Sequence, residues 1–244
     1  MKKNAHIAFI FLIVCSSLFV ISCSKDDKED EIEIIEDKPG EIPGLGSTEG
    51  ELTGQIFNLP EGIELEDDIT GNVGDINTTA KQNRKEIRAA RQRSSLKAET
   101  NSDLSIDFSR GSGYYVRLAI KLKNTTSGSK NLELPAGLII KSRSGKYQNG
   151  VLLKKVTIDI PANKTILLDL HMYCGNESKS SSSTSENYDF AVISNSSTLH
   201  DLINRLKGKK INIEQYFADD EGLDKYDDLI FILQGVLWNL TDSQ

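Results

Sequence analysis

Tyr114-Tyr115-Val116-Arg117-Leu118-Ala119-Ile120-Lys121-Leu122-Lys123 decides how this chain folds. Val116, Leu118, Ile120 and Leu122 fall on one side of an extended backbone, and Arg117, Lys121 and Lys123 on the other. That alternation is the period of a half-buried strand. A shorter version lies just upstream, where Leu104, Ile106 and Phe108 alternate with Ser105 and Asp107.

Downstream, the pattern repeats between turns. Asn124-Thr125-Thr126-Ser127-Gly128-Ser129 is turn-forming. Leu132 and Leu134 lead to Pro135-Ala136-Gly137, then Leu138-Ile139-Ile140 form the next strand. Val151 to Lys155, Val156 to Ile160, Thr165 to Tyr173 and Tyr188 to Ile193 supply the rest, with Pro161-Ala162-Asn163-Lys164 and a serine-rich loop, Ser178 to Ser185, between them. Short strands joined by loops, with no helix between them, predict a mainly β fold. The expected form is an antiparallel β-sandwich of immunoglobulin-like architecture.

The period then changes to that of a helix. Leu199, Leu202, Ile203 and Leu206 share a face after a cap at Ser197 or Thr198, and Gly208 stops the element. A last helix is predicted from about Asp224 to Leu240, with Tyr226, Leu229, Ile230, Leu233, Leu237 and Leu240 at helical spacing. Phe231, Ile232, Val236 and Trp238 make it apolar nearly all round, so it should be buried or cover a sheet. Residues 104–244 are therefore expected to be a β-sandwich with two C-terminal helices packed on it.

The stretch 51–103 is poorly defined. Gln55-Ile56-Phe57 and Ile63-Glu64-Leu65 read as a short pair of strands around Pro60-Glu61-Gly62. Thr79 to Arg93 favours helix but has only Ala80, Ile87, Ala89 and Ala90 as apolar residues, too few for a buried face. Lys81, Arg84, Lys85, Arg88, Arg91 and Arg93 make it a basic patch, either a solvated face or a contact for anionic headgroups or an acidic partner.

At the other end, Lys2 and Lys3 precede an apolar run from Ala5 to Ile21, which closes on Val20-Ile21-Ser22-Cys23. This is a secretory signal. The run is at the short edge of the roughly 20 residues a membrane span needs. Val20 to Cys23 resembles the lipobox of bacterial lipoproteins. The resemblance implies that residues 1–22 are a signal peptide and that cleavage falls before Cys23, whose thiol is lipidated. Ser24 to Glu31 is dense in charge and stays solvated. It resembles the acidic surface-export signal of some Gram-negative lipoproteins, which implies an outer-membrane protein facing the medium; otherwise it faces the periplasm. With Pro39, Gly40, Pro43, Gly44 and Gly46, residues 23–50 are expected to be an irregular tether.

A net charge of -7 argues against nucleic acid as a partner. Of the three cysteines, Cys15 leaves with the signal and Cys23 carries lipid, so Cys174 has no partner for a disulfide.

Candidate chemistry is sparse. His171 and Cys174 could be base and nucleophile, but residues three apart on a strand point to opposite faces, and a buried structural thiol is the simpler reading. Zinc needs three or four ligands, and only His171, His200 and Cys174 accompany the carboxylates. Asp219, Asp220, Glu221, Asp224, Asp227 and Asp228 do not have EF-hand spacing and suit a helix N-terminus. The serines from Ser180 to Ser183 lack a nucleophile-elbow pattern, and no phosphate-binding glycine loop is present. No catalytic residue, metal ligand or cofactor is therefore assigned, and an enzyme is not expected.

Gln234-Gly235-Val236-Leu237-Trp238 resembles the glutamine motif of Gram-positive thioester adhesin domains, which would pair Gln234 with Cys174. The spacing and the lipoprotein context depart from that family, and a structural contact explains Gln234 and Trp238 on one helix face. The leading function is a non-catalytic module that binds glycan or protein through loops at Thr125 to Lys130, Ser142 to Gly150 and Gly175 to Asn187. The alternative is a structural or assembly component of the cell envelope.

Overall fold

The computed structural model describes residues 32–48, 50–72, 109–216 and 220–242, the side chains of 220–224 excepted. The expected signal peptide, Cys23, the basic stretch 81–93 and the strand expected at Leu104 to Phe108 lie outside the described residues.

Among the described residues, eleven strands and two C-terminal helices make the fold mainly β. The strands are β1 (Gly54–Ile56), β2 (Ile63–Leu65), β3 (Ile69–Gly71), β4 (Ser109–Gly111), β5 (Val116–Asn124), β6 (Lys130–Leu134), β7 (Leu138–Ser142), β8 (Gly150–Val151), β9 (Val156–Ile160), β10 (Thr165–Cys174) and β11 (Asn187–Ser194). Helix α1 spans Ser197–Leu206 and α2 spans Asp220–Thr241, with a 3₁₀ turn at Ile213–Gln215 between them.

Where two facing sheets were expected, the pairing closes on itself. Six strands, in the order β5-β3-β11-β7-β8-β10 and back to β5, form a barrel, and β1, β2 and β4 are additions to its wall. Closure rests on the two long strands. β5 and β10 pair antiparallel from Thr165 opposite Lys123 to Met172 opposite Val116. Each also carries two short strands in succession on its other edge: β2 and β3 along β5, β4 and β8 along β10. Alternation along a strand separates inside from outside for a barrel as well as for a sandwich, so the sequence pattern alone does not choose between them.

The alternation itself is obeyed. Val116, Leu118, Ile120 and Leu122 meet Ile166, Leu168, Leu170 and Met172 inside. The β6–β9 ribbon adds Leu132, Leu134, Val156, Ile158 and Ile160 to the same core. The opposite face of β7, β8 and β10 presents Ile139, Val151 and Tyr173 to a second core. There Leu199 and Leu202 of α1, and Tyr226, Ile230, Leu233 and Leu237 of α2, cover the wall.

Three further expectations are corrected. β1 and β2 do not pair with each other: β1 joins β11 and β2 joins β5, because the turn at Pro60 to Gly62 sends the chain onward to the edge of β5. The α1 cap is Ser196, whose Oγ accepts from Leu199 N at 3.1 Å, while Ser197 and Thr198 bond Asp37. The distal tether is part of the body. Ile42 and Leu45 are buried in the second core, Ile35 N donates to Asn195 O at 2.8 Å, and Gly46 N donates to Gly175 O at 2.6 Å. Its Pro and Gly residues shape turns that dock: at Gly46, φ is +60° and an added Cβ would lie 1.8 Å from Thr241 O.

Candidate functional site

Two of the three loops singled out from sequence come together. Gln148 N donates to Ser180 O and Gln148 Nε2 to Lys179 O, each at 2.9 Å, which joins the loop after β7 to the loop after β10. With the Gly44 to Gly50 turn they frame a cleft of about 470 Å³, lined among others by Lys141, Asn149, Asn176 and Lys179. The Thr125 to Lys130 loop is not in that lining; Thr125 N bonds Gly62 O instead.

The polar side chains at the base of the cleft are already engaged. Asn149 Oδ1 accepts from Ser142 N at 3.0 Å, Asn176 Oδ1 accepts from Asn149 N at 3.2 Å, and Asn176 Nδ2 donates to Gly46 O at 3.0 Å. Lys141 Nζ bonds Glu51 at 3.1 Å. The cleft is thus a rigid polar depression more than a set of open ligand groups.

The more distinctive surface is aromatic. Tyr114 and Tyr115, just before β5, meet Phe231 and Trp238 of α2. Ring centroids are 5.4 Å apart for Tyr114–Tyr115, 5.2 Å for Tyr114–Phe231 and 5.3 Å for Tyr115–Trp238. These are separations at which offset and edge-on pairs attract. Phe231 is 46% exposed, and Ile232 and Val236 are exposed on the same helix. The reason lies in α2: it carries more apolar residues than its buried stripe of Tyr226, Ile230, Leu233 and Leu237 can hide. Sequence reading noticed the surplus but assigned it to burial. The alternation places Tyr114 and Tyr115 at the opening of a strand, with no sign that they form a surface. The signal available was an aromatic doublet that breaks the alternation.

Under this shelf lie Cys174 and Gln234, which the structure does bring together. Cys174 N donates to Gln234 Oε1 and Gln234 Nε2 donates to Cys174 O, both at 2.9 Å. The thiol sulfur accepts from Trp238 Nε1 at 3.3 Å and from Asn176 N at 3.4 Å. Burial pushes this thiol up to about 12, against the pull of the two N–H donors. A protonated sulfur is a poor nucleophile, and the glutamine amide is spent on main-chain groups.

His171 lies on the opposite face of β10 from Cys174. Its Nε2 is 3.2 Å from Asp169 Oδ2, which also takes Arg117 Nη2 at 2.6 Å and Ser109 Oγ at 3.0 Å. Asp169 Oδ1 accepts from Asn72 Nδ2 at 2.8 Å. Burial works to raise the Asp169 carboxyl, but His171 and then Arg117 outweigh it and hold it well below the usual carboxylate range. Ser109 gives its proton to the carboxylate, so it is not poised against the imidazole as a nucleophile would be. One carboxylate thus holds both Asn72, after β3, and Ser109, at the start of β4.

His200 bonds Ser194 O at 2.7 Å on α1 and is not brought to His171 or Cys174. Among the described residues no cluster of three or more His, Cys, Asp or Glu could hold a metal, and no helix is long and apolar enough to cross a membrane. No family model, curated protein or solved structure matches this chain.

Proposed function

We propose that the chain is a lipid-anchored outer-membrane protein whose barrel is a non-catalytic, surface-facing module that binds glycan. The lipobox at Val20 to Cys23 and the acidic run that follows support the anchor and the export. The observation that carries the binding reading is the shelf of Tyr114, Tyr115, Phe231 and Trp238. Sugar rings have one apolar C–H face and polar edges. Aromatic rings half-open to solvent stack on the first, and a polar surround serves the second.

Protease shaving of intact cells tests the location. Release of peptides from Tyr114 to Lys155 without lysis supports a surface module; protection until lysis rules it out. A glycan array with the parent chain and Phe231→Ala tests the ligand class. An envelope assembly role is the second reading, favoured by the exposed Ile232 and Val236 beside the shelf, an apolar surface that also suits a protein partner.

A further inference from the structure

Around the C-terminal end of α1 the surface of this acidic protein changes sign. Arg205 and Lys207 end the helix, and Lys209 and Lys210 follow, all exposed. Lys154 Nζ donates to Lys209 O, and Asn212 Nδ2 donates to Lys155 O at 3.1 Å, so the lysines between β8 and β9 join the same patch. The carboxylates nearest to it in contact or sequence are Glu133, paired with Lys155 at 2.8 Å, Asp201, one turn before Arg205 on α1, and Glu214, which is turned inward onto Asn212 Nδ2 at 3.0 Å and Gly111 N at 3.0 Å. Two cations at a helix C-terminus are explained by its dipole. Lys154, Lys155, Lys209 and Lys210 are not, and like charges so gathered repel each other unless an anionic partner meets them.

The chain path says where that partner lies. The described body begins at Ile32 and reaches α1 at once: Ile35 bonds Asn195 and Ser197, and Asp37 receives Thr198 N at 2.9 Å. Ile34 and Ile35 are 45% and 51% exposed at this entry. Only residues 24–31 separate it from Cys23, and the nine steps from Cys23 to Ile32 span at most about 30 Å when fully extended. A body of this size is about 45 Å across, so the face around the entry stays close to the anchor. The patch lies one α1 length away, about 15 Å.

We propose that Arg205, Lys207, Lys209, Lys210, Lys154 and Lys155 form a membrane-facing surface that docks the body on the anionic phosphates of the bilayer in which the lipid sits. The geometry rests on lipidation of Cys23; the charge complementarity does not. A short leash makes weak cationic contacts effective by holding them at high local concentration, and each lysine near an anionic bilayer adds to the attraction.

The test uses the mature chain from residue 23 with Cys23→Ser, so that no lipid contributes. It is sedimented with vesicles of phosphatidylcholine alone or mixed with phosphatidylglycerol. Binding to the mixed vesicles only is expected, weakened by salt and lowered at least about tenfold by combined Lys207→Glu, Lys209→Glu and Lys210→Glu. Those positions are exposed, and an unchanged melting curve confirms that the variant folds. Equal binding by parent and variant, failure to bind the mixed vesicles, or displacement by millimolar inorganic phosphate overturns the proposal. The last result indicates a single-phosphate site, and failure to bind leaves the acidic leash as the occupant. Metabolic palmitate labelling of the unmodified chain tests the lipid anchor separately.

Discussion

Gln234 pairs with Cys174 as a neighbouring strand would. Its side-chain carbonyl accepts from Cys174 N and its side-chain amide donates to Cys174 O, both at 2.9 Å. Gln234 is 2% exposed, so one residue of α2 closes the end of β10 where no further strand continues the ladder. It also positions Trp238, one helical turn on, over the Cys174 sulfur.

Replacing Gln234 by Leu removes both bonds and leaves two buried main-chain groups unpaired. The expected cost is about 3 kcal/mol, at about 1–3 kcal/mol for each group. Urea unfolding of parent and variant measures it. A loss below about 0.5 kcal/mol would show that the clamp is incidental.

The thiol prediction follows from burial. In the mature Cys23→Ser chain, Cys174 should resist alkylation while folded and react fully in denaturant. Intact mass decides between this and a thioester to Gln234. A free thiol at the unmodified mass supports the structural contact. A mass lower by one ammonia, with no thiol in denaturant, would establish the covalent bond.

Asp169 should govern part of the acid limb of stability. Its folded pKa is depressed, so its contribution is complete above the unfolded value of about 3.9 and lost as pH falls below it toward the folded value. Asp169→Asn leaves Arg117, whose side chain is 15% exposed, without its carboxylate. The expected loss at pH 7 is about 3 kcal/mol, shrinking below pH 4. Unfolding measured from pH 7 to pH 3 checks both the size and the sign.

The docked segment predicts a protease pattern. Proteolysis of the folded mature chain should spare 32–48. Gly46→Ala, which forces a Cβ against Thr241 O at a left-handed φ, should cost about 3 kcal/mol. It should also open that segment to cleavage.

How much of this was legible in the sequence depends on the range of the signal. Val116 to Lys123 and Thr165 to Tyr173 were readable because alternation is local, and α2 because its stripe, Tyr226 to Leu240, repeats over about four turns. Barrel closure was not, since it depends on which edges of β5 and β10 find partners far along the chain. Ile42 and Leu45 were hidden among Pro and Gly residues that read as tether. Cys174 and Gln234 were paired from sequence on a chemical likeness, and the structure joins them through main-chain hydrogen bonds instead. The shelf was missed because half of it comes from each of two elements, and neither half signals a surface alone.

Trp238 is the single tryptophan of the chain and stacks in the shelf against Tyr115, so its fluorescence reports that surface together with the Cys174 contact beneath it. The most direct measurement is a titration of the mature chain with a panel of soluble polysaccharides, followed by emission. A glycan-binding shelf predicts a saturable change with at least one saccharide, lost or weakened at least about tenfold in Phe231→Ala with stability unchanged. No saturable change across the panel, or a change that Phe231→Ala leaves intact, would contradict it.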